Sequence, residues 1–346
     1  MPRLSVLAAL AVLVVLSLGA LPASSATAAT PTVTLTFAGD MILGSTPRLP
    51  ANPAGYLSPV GKSLRAGSDV VFANLEGTLT SGGTSKCPNG SGGNCYAFRN
   101  PPSYARTFAG TGFNVLGMAN NHSNDFGSTG IRSTESAITG AGMRYTGMPG
   151  QITYLRRHGI RIAYVAFAPY RRTNNLLDTT SAARLIRKAH GQAAIVVVYM
   201  HAGAEGAAAS HVTGREEHFA GEDRGNPRRF AHMAIDNGAS LVVASGPHVL
   251  RGAEFYRHRL IDYSLGNFAN FHNFSSSGTL NRSVILHVTL NAKGAFVSAQ
   301  LTSVRLAADG RASIGGSSIG FVASLSRQDF GAAAARIGSA GRIRQP

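Results

Sequence analysis

The sequence predicts a layered α/β protein, and three observations predict it. Apolar runs of five to eight residues recur along the chain, Asp69–Ala73, Val115–Ala119, Ala193–Met200 and Ala239–Ala244, each short enough for a buried strand. Segments with helical spacing and glycine or asparagine stops alternate with them, the order expected of helices packed on a mostly parallel sheet. Every one of these strands runs straight into polar, metal-capable residues, and in open α/β sheets the carboxyl edge is where ligands bind.

The 346 residues, 44% of them hydrophobic, suffice for a sizeable core. Arg3, the apolar run Leu4–Leu21 and the small-residue tail Ala23–Ala29 read as a secretory signal peptide over residues 1–30. An uncleaved membrane anchor is the competing reading, since the run is just long enough to span a bilayer; the Ala-Ser-Thr tail favours cleavage between Ala26 and Thr30. No later segment is apolar enough to span. The expected location is secreted, at the extracellular face of the cell envelope. The only cysteines, Cys87 and Cys95, lie in and beside a Gly/Ser-rich loop, and in an exported chain they read as one local disulfide. A two-cysteine metal site is the weaker alternative.

The net charge of +16, 32 basic against 16 acidic residues, favours polyanionic partners: an anionic polymer, a phosphate-bearing envelope substrate or a membrane surface. No specific nucleic-acid motif is present. Because the basic residues are scattered, general solubility explains the charge equally well.

In chain order, Thr32–Ala38 alternates as a first strand and ends at Gly39-Asp40. The run Asp69–Ala73 ends in Asn74-Leu75-Glu76. A helix follows Pro101-Pro102 through Tyr104–Ala109, and the next strand delivers Asn120, Asn121, His122 and Asp125 onto a loop. Ser128–Gly140 reads as a helix. The basic turn Arg156–Gly159 joins two strands of a hairpin. Ser181–His190 reads as a helix, and the most apolar strand then ends in His201-Ala-Gly-Ala-Glu205. Asn226-Pro227 opens another helix, and the strand after it leads to Ser245-Gly-Pro-His248. Two short strands, Ala253–Tyr256 and Leu260–Tyr263, precede an alternating hairpin over Arg282–Leu306, expected to close a second sheet. The Ala/Gly/Arg tail after Phe330 reads as frayed, which makes 307–346 a partly disordered extension. No P-loop, GxGxxG or GxSxG motif is present, so nucleotide-cofactor and serine-hydrolase chemistry lack their residues.

Taken together, the strand ends offer carboxylate, amide and imidazole but no thiolate, a set suited to Mn, Fe, Zn or Mg. Six ordered motifs carry a family resemblance: Gly-Asp-Met-Ile-Leu-Gly from Gly39, Asn-Leu-Glu-Gly from Asn74, Ala-Asn-Asn-His-Ser-Asn-Asp-Phe-Gly from Ala119, His-Ala-Gly-Ala-Glu from His201, Gly-Pro-His-Val-Leu-Arg-Gly from Gly246 and Tyr-Ser-Leu-Gly-Asn-Phe from Tyr263. The stretch Val33–Phe271 resembles the poly-γ-glutamate capsule biosynthesis CapA family, of the calcineurin-like metallophosphoesterase superfamily.

The resemblance implies a four-layer αββα sandwich over residues 31–306, metallophosphatase-like, with one or two divalent metal ions. Asp40, Glu76, Asn121, His201 and His248 match the ligand positions. His122 matches the general acid, and Asp125 is placed to orient it. The implied role is synthesis, retention or export of an anionic polymer of the poly-γ-glutamate type, within a capsule-synthesis complex; the alternative is an active secreted metal-dependent phosphoesterase. This chain departs from the superfamily pattern in carrying Met41-Ile42 where a metal-binding His follows the first Asp, Asn74-Leu-Glu76 in place of Gly-Asp, and Arg251 in place of Gln. Those departures imply fewer ligands, down to a single ion.

Overall fold

A computed structural model describes residue 1, residues 30–93 and residues 95–346 of the protein. The leader expected over residues 1–30 lies, apart from its ends, outside the described residues. Residues 31–346 form one compact unit.

Two sheets dominate it. The first is built around β1 (Thr32–Met41), flanked on one side by β2 (Val70–Leu75), β5 (Val115–Gly117) and β6 (Arg144–Thr146), all parallel. On its other side β1 pairs antiparallel with β16 (Arg282–Asn291), which pairs with β17 (Phe296–Leu306). The second sheet runs β13 (Ala253–Tyr256), β14 (Arg259–Asp262), β12 (Leu241–Ser245), β9 (Ile195–His201), β8 (Ile160–Phe167) and β7 (Thr153–Arg157). Short ladders join β3 (Thr78–Leu79) to β4 (Arg99–Asn100) and β10 (His218–Phe219) to β11 (Glu222–Asp223).

The layers follow from which face of each strand is apolar. Val33, Leu35 and Phe37 of β1 meet Ile162, Tyr164, Val197 and Leu241 of the second sheet in one buried cluster between the sheets. The opposite face of the first sheet packs on α1 (Pro53–Arg65), α2 (Tyr104–Thr111) and α3 (Gly127–Gly140) through Leu57, Leu64, Phe108 and Ile138. The outer face of the second sheet packs on α4 (Thr179–His190) and α5 (Pro227–Asp236) through Ile186, Phe230 and Ile235. The order helix, sheet, sheet, helix is the αββα sandwich.

Local chemistry fixes the helix starts. Asn226 caps α5, its side chain accepting from the Arg229 amide with Pro227 at the first helical position, and Asp178 caps α4 in the same way through Ser181. The sequence reading contains no counterpart of α1, although Asn52 caps it and Pro53 opens it. Its residues are rich in Gly, Ser and Pro, which weakens the periodic signal. Among the described residues, no helix is long and apolar enough to cross a membrane.

Two expectations are corrected. The hairpin over residues 282–306 extends the first sheet instead of closing the second: Val284, Leu286, Val288 and Leu290 alternate in phase with Val33, Leu35 and Phe37, so pairing with β1 buries both sets in the same core. The tail is ordered, not frayed. Beyond β15 (Asn267–Ala269) and β18 (Ala312–Ile314), α6 (Ser318–Phe330) packs Val322 on the central core. After it, β19 (Arg336–Ile337) and β20 (Arg342–Arg344) join the first sheet beside β17. Two well-spaced isoleucines, Ile337 and Ile343, pair across that ladder and supply apolar anchors that composition alone hides.

Candidate metal centre

The site is assembled where β1, β2, β9 and β12 end. At Asp40 the pairing of β1 with β2 shifts register, and β1 begins to pair with β15, Asp40 opposite Asn267. The bulge turns Asp40 inward. Gly39 is required there: a β-carbon on it would lie 1.8 Å from the Gly266 carbonyl oxygen. Glu76 follows β2, its amide donating to the Met41 carbonyl at 3.0 Å. His201 is the last residue of β9 and lies opposite Ser245 of β12. His248 follows in the left-handed region, φ +61°, a conformation that costs a non-glycine residue energy and concentrates at functional positions.

These four residues converge. One ligand atom from each of Asp40, Glu76 and His201 lies within 4.8 Å of the others, and all three residues are fully buried. His201 Nε2 stands 3.5 Å from Glu76 Oε1, and His248 Nε2 stands 3.6 Å from the same oxygen. His248 Nδ1 is 3.5 Å from Asp40 Oδ2 and 2.8 Å from the Asn267 side-chain oxygen.

Asp40 is held by the Asn74 amide at 2.8 Å, the Ser245 hydroxyl and the Gly246 amide at 3.0 Å. Burial pushes its carboxyl up, but the hydrogen bond and charge of His201, the charge of His248 and the Ser245 hydroxyl outweigh burial and hold it at about 2. Glu76 is the opposite case. Burial first, then the charges of Asp40 and Glu205, raise it well above the usual carboxylate range. Burial lowers His201 against the pull of Asp40.

The fit to a divalent ion rests on the orphaned atoms. Both carboxylate oxygens of Glu76, His201 Nε2 and the Asn121 amide oxygen are buried without a hydrogen-bond partner among the described residues. Buried polar atoms are seldom left so. Donors that each stand about 2.1 Å from one ion are roughly 3.0–3.5 Å apart, which the Glu76, His201 and His248 separations match. The residues therefore fit a hard or borderline divalent ion, and the buried Asp/Glu/His group can hold one.

A second cluster adjoins the first. His122 Nδ1 lies 2.8 Å from Asp125 Oδ2, which also accepts the Phe98 amide at 2.6 Å. Lys86 pairs with the other Asp125 oxygen at 2.7 Å and donates to the Asn121 carbonyl at 3.1 Å. Burial lowers the His122 imidazole, opposed by Asp125. Asn120 joins the clusters: its amide donates to the Asn74 side chain at 3.0 Å and to the Leu75 carbonyl at 2.8 Å, while its oxygen accepts the His122 amide at 2.9 Å. Phe98 packs on His122 with ring centres 4.4 Å apart, and Phe274 on His248 at 4.5 Å. Cys87 and Cys95 form a disulfide, S–S 2.05 Å, in the segment between Lys86 and Phe98.

Of the residues singled out from the sequence, Asp40, Glu76, His201 and His248 lie together, His122 and Asp125 form the adjoining pair, and Asn121 directly precedes His122, its side-chain oxygen buried without a partner among the described residues. Asn120, placed on that loop by the sequence, is given its linking role by the structure, which adds Lys86 and Glu205, whose carboxylate is 3.6 Å from His248 Nε2 and ion-paired at 2.7 Å with the buried Arg224. Glu205 was legible as the last residue of the His201 motif; Arg224, far along the chain, carried no signal. Arg251 makes a two-pronged buried pair with Glu217, at 3.0 and 2.6 Å, and donates to the Ala209 carbonyl at 2.7 Å. Its work is to pin the loop that follows His201.

Fold and site together define a four-layer αββα protein with a buried carboxylate–imidazole centre at the carboxyl edges of its sheets. Residues 34–272 match the model of the bacterial capsule synthesis protein PGA_cap, and the chain belongs to that family. It is 28% identical over 290 residues to the PGA biosynthesis protein CapA of Bacillus subtilis (strain 168), covering 76% of this chain and 70% of that one. It is 32% identical over 181 residues to the capsule biosynthesis protein CapA of Bacillus anthracis, covering 45% of this chain and 40% of that one. Among solved structures, purple acid phosphatase PPD1 from yellow lupin superposes with a TM-score of 0.41 at 10% identity, over 82% of this chain and 54% of that chain.

Proposed function

We propose that this protein is exported and acts at the cell envelope in the synthesis, retention or export of an anionic polymer of the poly-γ-glutamate type, through a divalent-metal centre held by Asp40, Glu76 and His201 with His248 and Asn121. The observation that carries this reading is the buried Asp40–Glu76–His201 group with its unbonded ligand atoms, in a chain of the capsule-synthesis family. The net charge of +16 suits a polyanionic partner. Complementation tests it: in a strain lacking the gene, Glu76→Ala or His201→Ala should be exported yet fail to restore cell-bound polymer. Restoration to the wild-type level would sink the proposal.

The His122–Asp125–Lys86 arrangement favours a second reading, hydrolysis of an envelope phosphoester. A divalent ion would supply Lewis-acid polarisation of a substrate oxyanion. The chain's own residues handle the proton. Asp125 takes the Nδ1 side of His122 and so fixes the tautomer, leaving Nε2 to hold or release a proton; Lys86 balances the buried carboxylate. In this reading His122→Ala lowers turnover of a phosphodiester by about 10²–10⁴-fold without changing metal content. Unchanged turnover would exclude it.

A further inference from the structure

A separate basic feature lies at the other end of the strands. In the β7–β8 hairpin Arg156 stands directly opposite Arg161, so both side chains leave the same face of the ladder. Like charges opposed in this way repel. The Arg161 guanidinium lies 4.3 Å over the Tyr154 ring. Arg157 reaches toward the first sheet, its Nε donating to the Asp69 carbonyl at 3.0 Å, and Arg144 opens β6 beside Asn114. Arg144, Arg156, Arg157 and Arg161 line one open groove of about 450 Å³, together with Asn114 and Tyr154.

Among the described residues no carboxylate pairs with these four guanidinium groups. Among the described residues the arginines paired with carboxylates are Arg224, Arg228, Arg229, Arg251 and Arg257. The nearby Asp69 carboxylate is occupied by His158 and the Thr34 amide. The groove is also distinct from the metal centre. β5, β6 and β8 begin at it, whereas His201 ends β9, which runs parallel to β8. The eight residues of β8 at about 3.3 Å each set the two sites on the order of 25 Å apart.

We propose that this groove binds a linear polycarboxylate, several carboxylates of one chain pairing with the four guanidinium groups. A single small anion would leave most of the charge unmatched. All four cations are arginine, whose planar fork matches a carboxylate in two-pronged fashion. The polymer class rests on the function proposed above; the groove itself does not depend on the metal centre.

The test uses the full chain, fluorescent poly-γ-glutamate and a polyphosphate of matched length, at about 50 and about 200 mM salt. Arg156→Gln/Arg161→Gln is compared with Arg132→Gln/Arg327→Gln, two exposed helix arginines whose loss changes net charge equally. The groove pair should weaken polyglutamate binding by about tenfold at the lower salt, the control by less than about twofold. Relief of repulsion should leave the groove variant's thermal midpoint at or above that of the wild type. Equal loss in both variants, no loss in either, absence of binding by the wild type, or selective binding of polyphosphate would overturn the proposal. Metal content of the same preparations reports separately on the centre.

Discussion

Replacing Glu76 by Gln should stabilise the metal-free protein and remove its stabilisation by divalent ions. Both Glu76 oxygens are buried and unbonded among the described residues, and the nearest imidazole nitrogens stand 3.5 and 3.6 Å away. An unsatisfied buried polar group costs about 1–3 kcal/mol, and a charged one more. The amide keeps the shape and spares folding the uptake of a proton by the buried carboxyl, so a gain of about 2 kcal/mol is expected in chelator near neutral pH. For a chain of this size that corresponds to roughly 3 °C in the thermal midpoint.

The sign of the pH dependence follows from the raised carboxyl. The unfolded chain releases the Glu76 proton near the usual carboxylate value while the folded chain retains it, so the wild type loses stability as pH climbs from there to the raised value. Gln does not titrate, and its advantage in chelator should be larger at pH 8 than at pH 5. An ion present at about 100 times its dissociation constant stabilises the wild type by about 2.7 kcal/mol, which reverses the order of the two proteins. Thermal melts in chelator and in Mn or Zn, at both pH values, read all of this. A lower midpoint for the variant in chelator, or equal stabilisation of both proteins by the ion, would refute the reasoning.

Asp262, on β14 beside β12, offers a second titration: burial, opposed by the Ser264 amide, pushes its carboxyl up to about 8. Between about pH 4 and pH 8 the wild type should lose up to about 1.4 kcal/mol per pH unit on this account, and Asp262→Asn should flatten that part of a stability–pH curve; identical curves would contradict it. Arg251→Met leaves Glu217 buried and unpaired, so urea denaturation should show a loss of about 3–5 kcal/mol, and Arg251→Met/Glu217→Leu should recover most of it.

The strands were legible where the chain had to bury a continuous apolar run, as at Val70–Leu75 and Ile195–His201, and their polar ends marked the site because a buried strand has few reasons to stop in Asp, Glu or His. What stayed hidden depends on partners distant in sequence. The Asn120 amide matters through Asn74, 46 residues away, and Arg224 reaches the site only once Glu205 is folded onto His248. The place of the 282–306 hairpin was invisible for the same reason: alternation shows that a strand has an apolar face, not which sheet that face completes. Helix α1 and the terminal strands escaped because Gly, Ser and Ala dilute the few residues, Leu57, Leu64 and Ile343, that hold them to the core.

The most direct test of the metal centre is elemental analysis of the protein purified without chelator or affinity tag, beside Asp40→Ala and His201→Ala. About one divalent ion per chain in the wild type, lost in both variants, is the predicted result. No bound ion after reconstitution with Mn, Fe, Zn or Mg, or an ion retained by both variants, would contradict it.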